Sequence, residues 1–487
     1  MELVTGAMAG RSKQGRRWRR RGIALGLLLL PIQALPAQEP ALEPALEPAP
    51  GHAPEAVALS FGQARERLGQ VSDALAASDA GVRGSRELSA AARRLRVPEV
   101  SLEARYLEFQ KTLDLPLGSL APVAEAFGIE SPLRFRERDR RMRPVLTAVL
   151  PLYTGGQIPA AQAAADAAVR QAEAERTDQA QTLTSELVQA YFGQILAARV
   201  LEVRREVRDG MARHLAHAQR LEEEGFATRA QRLQATVARD AAEREHAKAV
   251  NDHAAAAEAL ALMLRSGGPV APSTPLFVVS APPEPLEAFT RTALERHPQI
   301  ARMRALGDQA AEGVRVQQAA LKPQVFLFGQ YDLYRDDALI TDTDWAVGVG
   351  LRYSLFSGQA RPRRVSAARA QHEQALAGLR EAENRVSIGV AQAWSAMDSA
   401  RRQFLQLDTN IEHARENLRL QELSFREGQS TSLDVIDARL GLGATLVEHA
   451  QAAYEYDLAL ARLLEMSGQS ARFGDYIRIA DRQVLPP

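Results

Sequence analysis

The stretch WAVGVGLRYSLFSGQ, residues 345–359, carries the clearest structural signal in the chain, because its side chains alternate with a period of two from 345 to 355. Every second residue from 345 to 355 is large and apolar, and the residues between them are small or polar. This period is typical of a β-strand whose two faces meet different surroundings. A soluble sandwich and a membrane barrel with lipid outside and water inside both use such strands. The alternation predicts a strand and leaves both kinds of sheet open.

A partner strand is predicted just before it, at residues 325–334, with about the roughly 10 residues that a tilted membrane strand needs. The loop between the two strands, 335–344, is acidic and polar. A similar pair in the first half of the chain is separated by a longer, arginine-rich loop, about 110–143. The sequence therefore predicts two β-hairpins, at about 99–153 and about 324–356.

The two hairpins belong to two copies of one repeat. Motifs recur at a constant separation of 203 residues: LYTG at 152–155 and LFSG at 355–358, QAY at 189–191 and QAW at 392–394, and EG at 224–225 and 427–428. Upstream, PxVxL at 98–102 recurs at 323–327, so the first copy carries 22 extra residues in its hairpin. Four matches in the same order indicate an internal duplication.

A long helical stretch follows each hairpin, at 157–223 and 360–426. At a rise of roughly 1.5 Å per residue, each would span about 100 Å. Apolar residues three and four apart, such as Phe404, Leu407 and Ile411, predict coiled-coil packing. Shorter helices are predicted to stack end to end along the long ones, at about 60–96, 227–266, 286–321 and 430–467.

The remaining segments complete the predicted domain organisation. Arginines within 16–21, an apolar run at 23–30 and Ala37 predict a secretory signal peptide, 1–37. Residues 38–57 are rich in Pro and Ala and are predicted to form a flexible leader. The other boundaries are a first repeat at 58–266, a Pro-rich linker at 267–285, a second repeat at 286–467 and a C-terminal tail at 468–487.

Composition excludes several classes of function. Lys and Arg together number 60, as do Asp and Glu, so no basic excess indicates a nucleic-acid partner. Cysteine is absent, which removes disulfides, thiolate metal sites and a Cys nucleophile. We find no Gly-rich phosphate loop and no nucleophile elbow, and predict no catalytic residue, no cofactor and no metal site.

Four strands cannot close a barrel, and open strand edges in lipid would leave backbone groups without hydrogen bonds. A membrane assembly must therefore pool strands from several chains, and three chains supply 12 strands, enough for a barrel with a lumen. The predicted fold class is an α+β membrane protein, in which a trimeric 12-stranded β-barrel continues into a long α-helical coiled-coil tunnel.

The chain resembles the TolC-like outer-membrane efflux proteins over roughly residues 58–467. The resemblance rests on the duplication, His297-Pro298, the PxVxL strand openings, LFSGQ at 355–359, and Glu427-Gly428 followed by LDVIDA at 433–438. It implies a homotrimer in the outer membrane, a helical tunnel in the periplasm, and docking to a periplasmic adaptor protein and an inner-membrane pump. The implied role is a passive conduit for efflux or type I secretion.

Asp434 and Asp437 are the candidate gate at the periplasmic entrance. One reading is helix capping after Ser430, Thr431 and Ser432, because acidic residues favour a first turn. The other, which the resemblance favours, is a ring of carboxylates at the tunnel mouth.

The turns at Gly225 and Gly428 are the candidate adaptor-contact tips, because glycine readily adopts a left-handed conformation between helices. The predicted contact residues are Arg220, Leu221, Gly225, Phe226, Thr228, Phe425, Gly428, Gln429 and Thr431. The first turn departs from the family, with Gln231-Arg232 where an Asp and an apolar residue are usual, which weakens the expectation of an inter-helix lock there. Ser430 stands where some members carry an Arg that holds the tip shut.

His214 and His217 share a helical face and are interpreted as solvated rather than as metal ligands, because no carboxylate or Cys is near in sequence. A secreted trimeric coiled-coil fibre or adhesin is the alternative function, but it leaves the paired strands and the duplication without a role.

Overall fold

The computed structural model describes residues 57–333, 343–356, 358 and 360–485. The predicted signal peptide and all of the predicted leader except Val57 lie outside the described residues. So do residues 335–342 of the loop in the second hairpin, and Ser357 and Gln359 of the stretch quoted at the outset.

The elements follow one another in the order expected for two copies of a repeat. The strands are β1 (Val57–Leu59), β2 (Glu99–Leu115), β3 (Leu133–Tyr153), β4 (Val270–Pro272), β5 (Leu276–Val278), β6 (Gln324–Asp332), β7 (Trp345–Arg352) and β8 (Arg482–Val484). The helices are α1 (Phe61–Val71), α2 (Asp73–Arg93), α3 (Ala121–Ala126), α4 (Gln157–Glu223), α5 (Arg229–Met263), α6 (Leu286–Arg296), α7 (Pro298–Ala319), α8 (Arg361–Arg426), α9 (Ser432–Met466) and α10 (Phe473–Ile479).

The two hairpins join into one antiparallel sheet with the order β2-β3-β6-β7. Because paired residues in a sheet share a face, its register fixes which side chains lie together. One row runs through Leu102, Leu146, Tyr331 and Trp345 across all four strands. The apolar alternation read from the sequence thus belongs to a continuous face of the sheet.

That apolar face is exposed, whereas on the opposite face two aromatic rings of β6 lie over β7. On β7, Val347 and Val349 are both 66% exposed. Behind them, the rings of Phe326 and Phe328 cover Gly350 and Gly348, and a Cβ on Gly350 would come within 2.5 Å of the Phe326 ring. The glycines of β7 therefore make room for phenylalanines of β6.

The first hairpin has the predicted bounds, 99–153, but its two strands are longer than the sequence suggested. β2 and β3 pair without interruption from Glu99–Val149 to Leu115–Leu133, whereas the last pair of β3 with β6 is Val145–Asp332. The prediction of a loop over 110–143 is wrong at both ends, because residues 110–115 belong to β2 and residues 133–143 belong to β3. Cross-strand ion pairs, including Arg134–Asp114 and Arg138–Glu108, take the place of apolar contacts there.

Below the sheet, the four longest helices form two antiparallel hairpins. α4 has 67 residues and α8 has 66, and each is followed by a return helix of 35 residues. α9 packs against both long helices, whereas α5 packs mainly on α4. No helix in the described part of the chain combines the length and apolar character needed to cross a bilayer.

The Pro-rich stretch 267–285 is built into the core. β4 pairs with β1 and β5 pairs with β8, so the stretch holds both ends of the described chain. Equivalent aromatic residues of the two copies bind it: the Tyr191 hydroxyl accepts hydrogen bonds from Ser273 and Thr274 N–H at 3.0 Å, and the Trp394 indole donates to the Glu284 carbonyl at 2.9 Å. Tyr191, Phe192 and Phe277 are fully buried around the same segment.

Candidate functional site

Two inter-helix turns with the same backbone geometry lie at the end of the helical hairpins. Gly225 ends the first outgoing helix with φ +83° and Gly428 ends the second with φ +69°. After each glycine the chain folds back on its own helix, with Phe226 N–H donating to the Leu221 carbonyl at 2.7 Å and Gln429 N–H to the Ser424 carbonyl at 2.8 Å. Only glycine adopts this left-handed conformation without strain, so the motif read from the sequence has a local cause.

A capping box starts each return helix. Thr228 N–H donates to the Gln231 side chain at 2.7 Å, and Thr431 N–H donates to Asp434 Oδ2 at 2.7 Å. In return, the backbone N–H groups of Gln231 and Asp434 donate to the two threonine hydroxyls at 3.3 Å. The hydrogen bonds from Thr431 hold the pKa of Asp434 below its ordinary value. Within one chain, Asp434 therefore acts as a helix cap.

Asp434 and Asp437 are nevertheless brought together on one surface. Both line a cleft of about 350 Å³ between α8 and α9, which we call the carboxylate cleft. Asp437 is exposed one turn further along the helix from Asp434. A capping role for Asp434 is thus compatible with its predicted place in the gate, and Asp437 takes no part in the capping box.

The two turns border a common groove of about 390 Å³, the tip groove, to which both copies contribute. Leu221 and Phe226 line it from the first turn, and Gly428 from the second. Phe226 is 80% exposed, which is unusual for so large an apolar side chain. Of the other predicted contact residues, Arg220, Thr228, Gln429 and Thr431 are exposed and Leu221 is half-buried.

Phe425 is buried, unlike the other predicted contact residues, although a contact role requires an exposed side chain. Its side chain is only 6% exposed, and its ring centroid lies 5.0 Å from that of His214 and 5.7 Å from that of His217. The prediction that these histidines form a solvated face is wrong for His214, which is 7% exposed. Phe425 and the histidines instead join α8 to α4, from the two copies.

His214 is held in this contact by α9. Its Nε2 lies 2.7 Å from the Ser432 hydroxyl. Burial, followed by the positive charges of Arg439 and His217, lowers the pKa of His214 to about 4. The histidine is therefore neutral at physiological pH. No group of three or more His, Asp or Glu side chains in the described residues is arranged to hold a metal ion.

Two ion pairs close the helical hairpins, and sequence reading missed both. Arg232 pairs with Glu222 across the first turn, and Arg439 pairs with Glu422 across the second. The partners are 10 and 17 residues apart, beyond the helical spacing of three or four that signals such a pair in sequence. Ser430, which follows the second turn glycine, instead donates to the Gln421 carbonyl of α8 at 3.3 Å.

Comparison with known proteins now gives this architecture a family. The family model described as outer membrane efflux protein matches residues 65–265 and 290–469, one segment in each repeat. The outer membrane efflux protein BepC of Brucella suis biovar 1 is 25% identical over 191 residues, which are 39% of this chain and 42% of BepC. The alkaline protease secretion protein AprF of Pseudomonas aeruginosa is 24% identical over 299 residues, 60% of this chain and 62% of AprF. The chain thus spans between about two fifths and three fifths of these relatives.

The outer membrane protein VceC from Vibrio cholerae has the same fold. Its crystal structure superposes with a TM-score of 0.69 at 17% sequence identity, covering 84% of this chain and 96% of VceC. This likeness confirms the predicted fold of the single chain, two β-hairpins joined to long helical hairpins, and the family model confirms the predicted resemblance. Because that model covers most of both repeats, the chain belongs to the outer membrane efflux protein family.

Proposed function

We propose that three copies of this chain form an outer-membrane channel, the passive exit conduit of a tripartite efflux or type I secretion system. The four-stranded sheet carries the proposal. Its edge strands β2 and β7 each have one partner among the described residues, and its apolar face is exposed across all four strands. Pooling three sheets would pair the edges and turn the apolar faces to lipid.

Arginine substitution on the apolar face tests the barrel. Val349→Arg should cost about 2 to 4 kcal/mol per chain near the bilayer midplane and reduce the heat-modifiable trimer band in outer-membrane fractions. Gln330→Arg, on the other face, is the matched control and should leave the band unchanged. Gly350→Arg is unsuitable because its Cβ would strike Phe326. Equal trimer yields from Val349→Arg and Gln330→Arg would contradict the assignment of faces.

The tip groove is the proposed docking site for a periplasmic adaptor, which in turn engages an inner-membrane pump. Exposed residues of both turns support this, with Phe226 offering apolar area. Phe425 is excluded from the proposed adaptor contacts because it is buried. The proposed contact residues are Arg220, Leu221, Gly225, Phe226, Thr228, Gly428, Gln429 and Thr431.

Crosslinking tests the docking site cleanly because the chain has no cysteine. Phe226→Cys and Gln429→Cys should each crosslink to the adaptor in cells, whereas Phe425→Cys, from the same tip but buried, should not. Crosslinks that form only from the β2–β3 hairpin would reverse the proposed orientation.

Asp434 and Asp437 are the proposed gate, because three chains would bring six carboxylates into one mouth. Such a collar favours cations and binds multivalent ones. In planar bilayers, the double variant Asp434→Ala/Asp437→Ala should lose block by trivalent cations added on the periplasmic side and become less cation-selective. The equivalent pair in the first copy, Gln231→Ala/Gln234→Ala, should keep both properties.

A further variant separates the effect of the Asp434 helix cap on the block from the effect of the carboxylate charges. Thr431→Ala removes the cap but keeps both carboxylates, so it should retain the block. If the block survives loss of both aspartates, they act only in helix capping and the gate lies elsewhere. The proposal assigns no catalytic step to any residue of the chain.

A further inference from the structure

A second cleft near the tips, between α4, α8 and α9, is strongly basic. It has a volume of about 390 Å³, and we call it the arginine cleft. Four guanidinium groups and two imidazoles line it, from Arg213, Arg220, Arg426, Arg439, His214 and His217. Glu422 supplies the single carboxylate among its described lining residues. The four arginines and one glutamate of the lining therefore leave an excess of three positive charges.

Arg439 is the innermost of these cations. Its side chain is 16% exposed, and its guanidinium pairs with Glu422 while lying directly against Gly210 of α4. A side chain larger than hydrogen at position 210 would strike that guanidinium, so the glycine makes room for it. The arrangement holds a nearly buried cation between helices of both copies.

Unpaired polar nitrogens accompany this charge. Arg439 Nε and His217 Nε2 are both buried and have no hydrogen-bond partner among the described residues. A buried polar nitrogen without a hydrogen-bond partner is costly, and native structures rarely keep one without a reason. Both nitrogens belong to the lining of the same cleft.

The positive charges also disturb one another. Burial and then the charge of Arg213 lower the pKa of Arg439. Arg439 and His217 contribute in the same way to the low pKa of His214. One carboxylate is thus insufficient to balance the cluster, and an added anion would relieve the repulsion.

We propose that the arginine cleft is a binding site for a small multivalent oxyanion of the phosphate class. Guanidinium groups match the oxygens of such an anion in pairs, and charge-assisted hydrogen bonds are the strongest kind available to it. The bound anion accepts from the Arg439 guanidinium and from neighbouring arginines, with the Phe425 ring forming the wall of the cleft.

Such an anion would connect the two copies of the repeat. Arg213 and His217 belong to α4, whereas Arg439 belongs to α9, so one ligand contacts both helical hairpins. If opening of the proposed channel separates α9 from α4, anion binding and opening oppose each other by linkage. This consequence rests on the proposed function, but the binding itself does not.

Isothermal titration of the purified full-length protein with inorganic phosphate, at constant ionic strength against chloride, tests the site. Arg439→Gln should weaken phosphate binding about tenfold or more, the effect of losing a charge-assisted hydrogen bond. Arg385→Gln, which removes an exposed arginine elsewhere on α8, should leave the affinity unchanged. Glu422→Gln should strengthen binding, because it removes the competing carboxylate.

Glu422→Gln distinguishes a binding site from a structural ion pair, because loss of a purely structural pair would not raise the affinity for phosphate. If Arg439→Gln fails to fold, Arg213→Gln at the exposed rim should still weaken binding several-fold. Absence of phosphate binding by the unmodified protein, or equal affinity in Arg439→Gln and Arg385→Gln, overturns the proposal. A non-conducting protein that binds phosphate contradicts the proposed channel alone, and a conducting one that does not bind contradicts the anion site alone.

Discussion

The two helical hairpins share a backbone plan but meet different surroundings. The α4–α5 and α8–α9 hairpins have return helices of the same length, equivalent turn glycines and equivalent threonine caps. Yet α5 buries four residues, three of them alanines seven apart, whereas α9 buries sixteen. Duplication copied the local signals, while the position of each helix in the molecule decided what its side chains contact.

The largest expected difference is at equivalent positions of the two return helices. Ile436 on α9 is 5% exposed, whereas Leu233, its counterpart on α5, is 46% exposed. Ile436→Ala should lower the free energy of unfolding by about 2 to 5 kcal/mol, and Leu233→Ala by about 0.5 kcal/mol or less. Urea unfolding followed by circular dichroism measures both. A similar cost at the two positions would show that assembly buries Leu233 as deeply as Ile436.

A pH effect should appear at His214, whose counterpart in the second copy is Asn417. Because the folded-state pKa is lowered from 6.5 to about 4, the stability associated with neutral His214 is fully present above pH 6.5. It is lost as the pH falls towards 4, by up to about 3 kcal/mol. In phosphate-free buffer, His214→Asn should flatten this part of the stability profile. An unchanged profile would place the pH dependence in other groups.

The strands offer a third comparison, between Gly350 and its counterpart Thr147. Gly350 faces Phe326, whereas Thr147 lies opposite Ser101 and Gln330. Gly350→Thr should destabilise by about 1 to 3 kcal/mol because the added atoms overpack the ring. The double variant Gly350→Thr/Phe326→Ala should recover part of the loss in the same unfolding assay. Failure of this rescue would mean that the ring is not the obstacle.

The smallest difference is expected between the two caps. Thr228→Ala and Thr431→Ala should each cost about 1 kcal/mol at neutral pH. Only the cost of Thr431→Ala should depend on pH in the acidic range. Its capping box uses Asp434, whose pKa is lowered, whereas the capping box of Thr228 uses the uncharged Gln231. The contribution of Asp434 is present above its ordinary pKa of 3.8 and is lost as pH falls through the lower folded value. Amide hydrogen exchange in the first turns of α5 and α9 would reveal both effects.

Much of the fold was predictable because its signals are local. The alternation in β7 requires only neighbouring residues, and the turns require only a glycine followed by a threonine cap. The equal length of the two helical hairpins follows from the spacing of repeated motifs. The extension of β2 and β3 was missed because its charged residues look like a loop until the two strands are paired.

The candidate site was predictable in position but not in contacts. Asp434, Asp437 and the turn glycines lie where the sequence placed them, at one end of the long helices. The burial of Phe425 and His214 was not predictable, because an alanine-rich coiled coil shows apolar residues at similar spacing on buried and exposed faces. The arginine cleft was missed because its residues come from three helices.

Residues close together in the chain are enough to specify the long helices, the two turns, the duplication and the inner parts of the two β-hairpins. Packing between distant segments, in contrast, buries α9 and leaves α5 exposed, places the Pro-rich stretch in the core, and brings Arg439 against Gly210. The partners in such contacts lie far apart in the chain; His214 and Ser432, for example, are separated by 218 positions. Burial and hydrogen bonding at such separations depend on how whole helices pack, and no local pattern encodes that packing.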